Sequence, residues 1–458
     1  MKKRFELKAL SAVLLMLMLV VTACSGGNNG NGNGTNQASS APTAAQTEDG
    51  EEASPSPENR EPVTLKIISW KDTYGELYDM FEKKYPWITI EQIPVNSQPI
   101  MEIIASLEAA GTPADLTEID SDLISFDQAG LLEDLTPYID QDPTFNETEF
   151  PNGFFDTMTW NGKKLAVPMV DVPMWILVNK DLLNKHGQAM PPNDWTYEDF
   201  RNIAKAITDP QAGEFGLTTQ SEWQMRLLST KAIADGHAAN IHYLNEDMSQ
   251  SVLHTPEVLD DVRWLQEFVT NDGSLQSFEA ATAGGDVTRE FINGKTGFAI
   301  GGDWVLPNLK ANANFEWDVL PFPRGEVSQP GYTIYGPLAM LASSKHKEEA
   351  FLWISFQFSK EAQKWKIDQG ANASIIDPDI MAYYDQTPMW EGKNKEAVKL
   401  AKENAYIQPG LTVPAFGEYN WNNILNEVIF MGADINTIVP GTEAWNKRTL
   451  EVRAELGQ

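Results

Sequence analysis

Cysteine is almost absent. The 458-residue chain holds a single one, Cys24, so no disulfide can form within it and stability must come from core burial. A catalytic cysteine deeper in the chain is excluded by the same count. Basic residues are scarce too: 34 Lys and Arg stand against 65 Asp and Glu, a formal charge of −31. Nucleic-acid binding needs stripes of Lys and Arg to neutralise phosphates, so that class of partner is excluded. Adhesion to anionic lipid head groups is excluded on the same ground, and the surplus acid serves solubility. Long apolar runs are missing as well. The one candidate, Leu10 to Val21, is shorter than the roughly 20 residues that span a bilayer.

That run has a telling setting. Lys2, Lys3, Arg4 and Lys8 stand before it and Val21-Thr22-Ala23-Cys24 closes it. A basic head, a short apolar body and small residues before a cut describe a secretory signal peptide. A cysteine at the cut resembles the lipobox of bacterial lipoproteins. The resemblance implies that residues 1–23 are removed and that Cys24 becomes the lipid attachment point. From Ser25 to Asn59 there is no Lys, Arg or aromatic residue, only Gly, Asn, Ser, Thr, Ala, Gln, Pro and acid. Such a segment cannot offset its ordering entropy by burial, so residues 24–61 read as a lipidated flexible linker. Several acyl chains would anchor it where one is marginal. Residues 1–23 carry four basic and one acidic side chain, so the chain from Cys24 onward is near −34. The membrane would therefore be met through the lipid only.

About 400 residues remain, too many for one core and suited to two lobes. Val63–Trp70 reads as a strand, a helix follows from Tyr74 to Tyr85 with Pro86 as its stop, and Ile88–Glu91 gives a second strand. Ile100, Ile103, Ile104 and Leu107 mark one helix face, with Gly111 as the stop. Leu116–Ile119 is a third strand. Strands alternating with helices imply a parallel sheet, with ligands outside the carboxyl ends of its strands. Later come an apolar strand over Met174–Asn179, a helix capped by Thr196 with Asp199, and a strand ending at Ile300 that delivers Gly301-Gly302-Asp303-Trp304. A strand over Leu338–Ala342, one long helix from Glu348 to Gln369, an amphipathic segment over Asn422–Met431 and a last helix over Thr442–Leu456 complete the pattern.

Taken together, several stretches resemble the bacterial extracellular solute-binding proteins of ABC importers (family 1), the class that includes maltose-binding protein. They are the strand ending in Trp70, Phe81-Glu82-Lys83-Lys84-Tyr85-Pro86, Gly162-Lys163 to Pro168, Asn179-Lys180-Asp181-Leu182, Pro191-Pro192 to Trp195-Thr196, and Gly294-Lys295 to Gly302. No single stretch is specific; the ordered set, spanning the globular part, is. The resemblance implies an α/β fold with two lobes, each with a central mostly parallel sheet flanked by helices, joined by a hinge. Its division here is residues 62–170 with 333–375 for the first lobe and 171–332 with 376–458 for the second. It crosses near Val170, near Tyr332 to Gly336, and near Ser374. Where the family commonly has a Gly-x-Pro, this chain reads Gly370-Ala371-Asn372-Ala373-Ser374.

Enzyme motifs are missing. No Gly-x-Ser-x-Gly elbow occurs, and Gly294-Lys295-Thr296 lacks the P-loop's leading glycine because position 289 is Arg. His237 and His242 are five apart and off one helix face for a metal. Carboxylates are plentiful, but nothing selects a glycosidase-like pair. No catalytic residue, metal or cofactor is expected.

What remains is 14 tryptophans. A sugar ring stacks its C–H face on indole or phenol and offers its hydroxyl edge to charged partners. Trp70, Trp223, Trp304 and Trp421, with Tyr335, are the stacking candidates. Asp72, Asp120, Asp171, Glu222 and Asp303 are the polar ones; the resemblance places ligand contacts in the same loops. Trp87, Trp195, Trp264, Trp353 and Trp365 sit in packing patterns instead. The expectation is a lipid-anchored, monomeric receptor on the outer face of the bacterial membrane. It would capture a carbohydrate, an oligosaccharide, and deliver it to ABC permease subunits. The competing readings are a surface glycan-active enzyme or a ligand-sensing partner of a signalling receptor.

Overall fold

The computed structural model describes residues 60–70, 75–95, 98–119, 122–145, 150, 154–169, 172–217, 221–276, 289–407 and 413–455, with backbone alone for 221–223 and 405–407. The signal peptide, Cys24, nearly all of the linker, Asp72, Asp120, Val170 and Asp171 lie outside the described residues.

The first sheet has five strands in the order 88–95, 63–70, 116–118, 337–340, 167–168. Val63–Trp70 pairs in parallel with Ile88–Val95 along its whole length, Val63 opposite Ile88 and Trp70 opposite Val95. On its other side Ile67 lies opposite Leu116, also in parallel. Because successive side chains point to opposite faces, Leu65 and Ile67 join one core with Leu77, Phe81, Leu116 and Trp353. Ile68 joins a second, with Ile103, Ile104, Leu123 and Leu165. The helix Gly75–Lys84 supplies Leu77, Tyr78 and Phe81, and Trp353 meets Phe81 edge-on at 5.1 Å. Trp87, Trp195 and Trp353 are all buried, and Trp264 and Trp365 pack against the cores, the packing roles expected of them.

The second sheet runs in the order 317–320, 175–179, 296–301, 215–217. All five residues of Trp175–Asn179 are buried, as a strand covered on both faces requires. Ile176 and Val178 enter a core with Phe298, Ile300 and Leu320, while Trp175 and Leu177 enter another with Ala299, Val305 and Val319. The fold is thus the two-lobed α/β arrangement expected, but the sheets are mixed. Trp175–Asn179 is antiparallel to both neighbours, and Pro337–Met340 is antiparallel to both of its own. Helix–strand alternation reports local order; it does not report the direction in which a strand enters from far along the chain.

Two local readings meet the coordinates differently. The capping box is present: Asp199 N–H donates to Thr196 Oγ1 at 3.1 Å and Thr196 N–H to Asp199 Oδ2 at 2.9 Å. The single helix expected from Glu348 to Gln369 is two, Lys347–Phe356 and Lys360–Asp368. Ser359 caps the second through Ala362 N–H. The Gln357 carbonyl accepts from the side chains of Gln363 and Lys366, so the break leaves that carbonyl satisfied.

Between the two sheets the chain runs as a ribbon. Pro168 lies opposite Pro337 in the first sheet, Met169 N–H donates to Gly336 O at 3.1 Å, and Met174 N–H to Tyr332 O at 2.8 Å. Between those bonds Val172 pairs with Ile334 and Pro173 with Thr333. The strand Ala405–Ile407 flanks Gly331–Thr333 in parallel.

Gly216 exposes how tightly the second lobe is built. A Cβ there would stand 2.6 Å from the Ala204 carbonyl oxygen and 2.7 Å from its Cα, both backbone atoms that cannot swing aside. Gly216→Ala should cost about 1–3 kcal/mol or more through overpacking, read as a lowered urea midpoint.

Candidate functional site

The strand Thr296–Gly301 is buried throughout and releases Gly302, Asp303 and Trp304 at its tip. Gly302 has ordinary extended backbone; its lack of a side chain matters for space. A Cβ there would fall 2.4 Å from Cζ3 of Trp304 and 2.7 Å from Cγ1 of Val172. The indole therefore lies across the Gly302 backbone and beside the crossing ribbon. It keeps 41% of its surface exposed, an unusual outlay of apolar area for an indole held this closely.

Trp70, 40% exposed, ends the strand Val63–Trp70, second in the order of the first sheet. Its N–H donates to Glu118 Oε2 at 3.2 Å and its carbonyl accepts from Gln92 Nε2 at 2.9 Å. Gln92 Nε2 also reaches Ser69 Oγ at 2.8 Å. Glu118, buried at the end of the third strand, thus braces this rim. Sequence reasoning passed over it because a buried acid in a strand carries no periodic signal.

The lobes also approach each other at a lip. A Cβ on Gly417 would lie 3.4 Å from Oδ2 of Asp122. Asp122 has φ +70° and Ala415, two residues before Gly417, has φ +65°, so each side of this approach carries a non-glycine residue in the left-handed region, where strain is stored. Asp122 also accepts from Ser125 Oγ at 2.9 Å.

The other candidates fall into place as follows. Tyr335 is 8% exposed and packs on Phe154 at 5.9 Å. Trp421 is 9% exposed and packs on Tyr243 at 5.8 Å. Both rings show little more than an edge to solvent. Glu222 and Trp223 occupy the first turn of the helix Ser221–Ala234. From the same helix Arg226 stands over the ring of Tyr332, a ribbon residue, at 5.5 Å. Asp303 keeps some exposed surface as a residue, yet its carboxyl is packed deeply enough that burial pushes its pKa up to about 7. Backbone N–H groups of Asp303 and Trp304 and the charge of Lys366 pull it back down.

Other polar clusters have structural explanations. Asp235, His237 and Asp261 offer ligand atoms within 4.8 Å of one another. The ammonium of Lys231 already sits on both carboxylates, at 2.5 Å from Asp235 and 2.6 Å from Asp261. The chain supplies its own cation there. A depression of about 390 Å³ lined by Asn179, Lys185, Glu214 and Asn293 lies at the other end of the strand Thr296–Gly301 from Trp304. It is remote from the tip that presents the indole.

A bracketed, exposed indole at a strand tip beside an interlobe ribbon, with a second exposed indole at a strand end of the other sheet, is a geometry for holding a molecule. The sequence comparisons agree. Residues 76–374 match the family model described as bacterial extracellular solute-binding protein. The chain belongs to that family. A putative binding protein of Brucella abortus is 28% identical over 296 residues, 63% of this chain and 69% of the relative. The maltodextrin-binding protein of Bacillus subtilis is 22% identical over 344 residues, 73% and 75% of the two chains. Among solved structures, an ABC substrate-binding protein of Listeria monocytogenes in complex with cycloalternan superposes with a TM-score of 0.74. It is 22% identical and covers 86% of this chain and all of its own. Family and fold are those of solute receptors, not of enzymes. The family is extracellular.

One buried group of this receptor sets an acid limit. His242 is 2% exposed, wedged 4.7 Å from Phe416 and 6.2 Å from Trp421, and neither ring nitrogen finds a hydrogen-bond partner among the described residues. Burial, helped by the charge of Arg226, lowers its pKa from 6.5 to about 3. Its neutral form is the folded form, so stability is full above pH 6.5 and is lost as pH falls toward 3. Between pH 7 and pH 5 the wild-type protein should lose about 2 kcal/mol more stability than His242→Phe, measured by urea unfolding at each pH.

Proposed function

We propose that the protein captures a carbohydrate, an oligosaccharide, between its lobes and hands it to an ABC permease while held to the outer face of the membrane by lipid on Cys24. The observation that carries the reading is Trp304, seated on Gly302 with 41% of its surface exposed. An indole face presented this way suits the C–H face of a sugar ring, and Trp70 offers a second face from the first sheet. Two separated aromatic platforms suit a ligand longer than one ring. The names of relatives point the same way: one is a maltodextrin-binding protein, another a multiple sugar-binding protein of Streptococcus mutans. A relative from Streptomyces antibioticus is named a lipoprotein, which supports the anchor.

In this reading the carboxylates of Asp72, Asp120, Asp171, Glu222 and Asp303 take the hydroxyl edge, with Trp223 beside them and Tyr335 and Trp421 offering only their ring edges. Ligand touching both lobes shifts the population toward closure about the ribbon. We place the last crossing after residue 386 rather than near Ser374, because Ile380 of the helix Pro378–Gln386 packs in the first core while Ala397 and Val398 pack in the second lobe.

Isothermal calorimetry against a glycan panel tests the ligand class. At least one oligosaccharide should bind, and Trp304→Ala should weaken it about tenfold or more, close to 1.4 kcal/mol. Silence across the panel together with tight binding of a polyamine or metal chelate would sink the sugar reading. The anchor has a separate test: Cys24→Ser should move the protein from the membrane fraction to the medium while the affinity measured by calorimetry stays unchanged.

A further inference from the structure

Lys366 lies on the helix Lys360–Asp368, whose Ala362 and Ile367 belong to the first core, and it is 2% exposed. A lysine buried so completely ordinarily sits on a carboxylate. This one instead donates to two carbonyls: Met169 O at 2.6 Å, at the entrance to the first crossing, and Gln357 O at 3.1 Å, at the helix break. The Phe358 ring lies under it at 5.8 Å. Among the described residues the charge whose field supports it belongs to the other lobe. Asp303, beside Trp304, is the group whose field supports the ammonium, and Lys366 is the charge that supports the Asp303 carboxylate.

The backbone brings the two lobes together at the same place. Gly370, just past that helix, has φ +104°, and a Cβ on it would lie 2.7 Å from Leu306 Cδ1 and 3.4 Å from the Asp303 Cβ. Burial dominates at both groups, pushing Lys366 down to about 7 and Asp303 up to about 7. Against that burial the Asp303 carboxylate is supported first by the backbone N–H groups of Trp304 and Asp303 and then by Lys366, and the Lys366 ammonium by Asp303.

We propose that Lys366 is a positioning residue for the solute site: its ammonium ties the first crossing, through Met169, to the Asp303 tip of the second lobe, and so fixes Trp304 from the opposite lobe. The proposal rests on the solute-receptor reading, in which Trp304 meets ligand, but it concerns where the indole is held. A lysine that merely satisfies two buried carbonyls would stabilise the first lobe and leave Trp304 indifferent.

The test needs no sugar, so its failure is distinct from a failure of the carbohydrate reading. The full chain is labelled with 5-fluorotryptophan, and the ¹⁹F resonances of Trp304 and Trp353 are assigned with Trp304→Phe and Trp353→Phe. Lys366→Met should move the Trp304 resonance while Trp353, in the first core with the Lys366 helix, stays in place. A shifted Trp353 with an unmoved Trp304 overturns the proposal. Where Lys366→Met fails to fold, Asp303→Asn decides the matter. The ¹³Cε titration midpoint of Lys366 should fall further below its wild-type position once the carboxylate is gone. An unchanged midpoint overturns the coupling between the lobes.

Discussion

The structure depends on one short piece of backbone pairing: the ribbon in which residues 168–169 and 172–174 run against 332–337. Its hydrogen bonds, Met169 to Gly336 and Met174 to Tyr332, hold two sheets in one frame. Each bond is a modest contribution, about 1 kcal/mol net. Their effect is geometric, because a few backbone pairs between two rigid lobes allow bending while forbidding separation. Pro168 and Pro337 oppose each other at one end, where neither can donate to a ladder, and the pairing passes there into the first sheet with Leu338 opposite Val167. Gly336, at φ +48°, lets the chain turn from ribbon into sheet.

The ribbon explains why the exposed indole is where it is. Val172 is a ribbon residue, and its methyl limits the space over Gly302 together with the Trp304 ring. The second lobe thus presents this indole against the ribbon itself. Trp70 is held by other means, a carboxylate and an amide acting on its backbone, and those partners belong wholly to the first sheet. One indole lies against the ribbon and the other at a strand end of the first sheet.

Much of this was legible in residues. Strand alternation located Val63–Trp70 and the buried run at Trp175–Asn179, the Thr196–Asp199 pair announced a cap that forms, and Gly301-Gly302-Asp303-Trp304 marked a strand tip. These are local signals, set by neighbours within a few positions. What escaped was non-local. Lys366 bonds to a carbonyl 197 residues away, Glu118 reaches back 48 residues to Trp70, and the helix break at Gln357–Ser359 is completed by side chains later in the chain. The antiparallel entry of Pro337–Met340 beside Leu116–Glu118 is of the same kind. Trp421 shows the converse limit: an indole at a helix start reads as a platform in sequence, yet packing with Tyr243, His242 and Tyr419 leaves it 9% exposed.

The energetics of closure say what the two exposed indoles must do together. Reversing a hinge equilibrium from 1:99 to 99:1 takes about 5.5 kcal/mol of differential affinity. An aromatic contact is worth about 0.5–1.5 kcal/mol beyond its buried area, so stacking on Trp304 alone falls well short. A ligand confined to one lobe would, moreover, bind the open and closed forms equally and shift nothing. In the proposed reading the difference comes from contacts that exist only when both walls are engaged: the Trp70 face, the charged partners of the hydroxyl edge, and the water shed from both. In the same reading a neutral, hydroxyl-rich ligand donates hydrogen bonds to the candidate carboxylates, whereas an anion would be repelled by them.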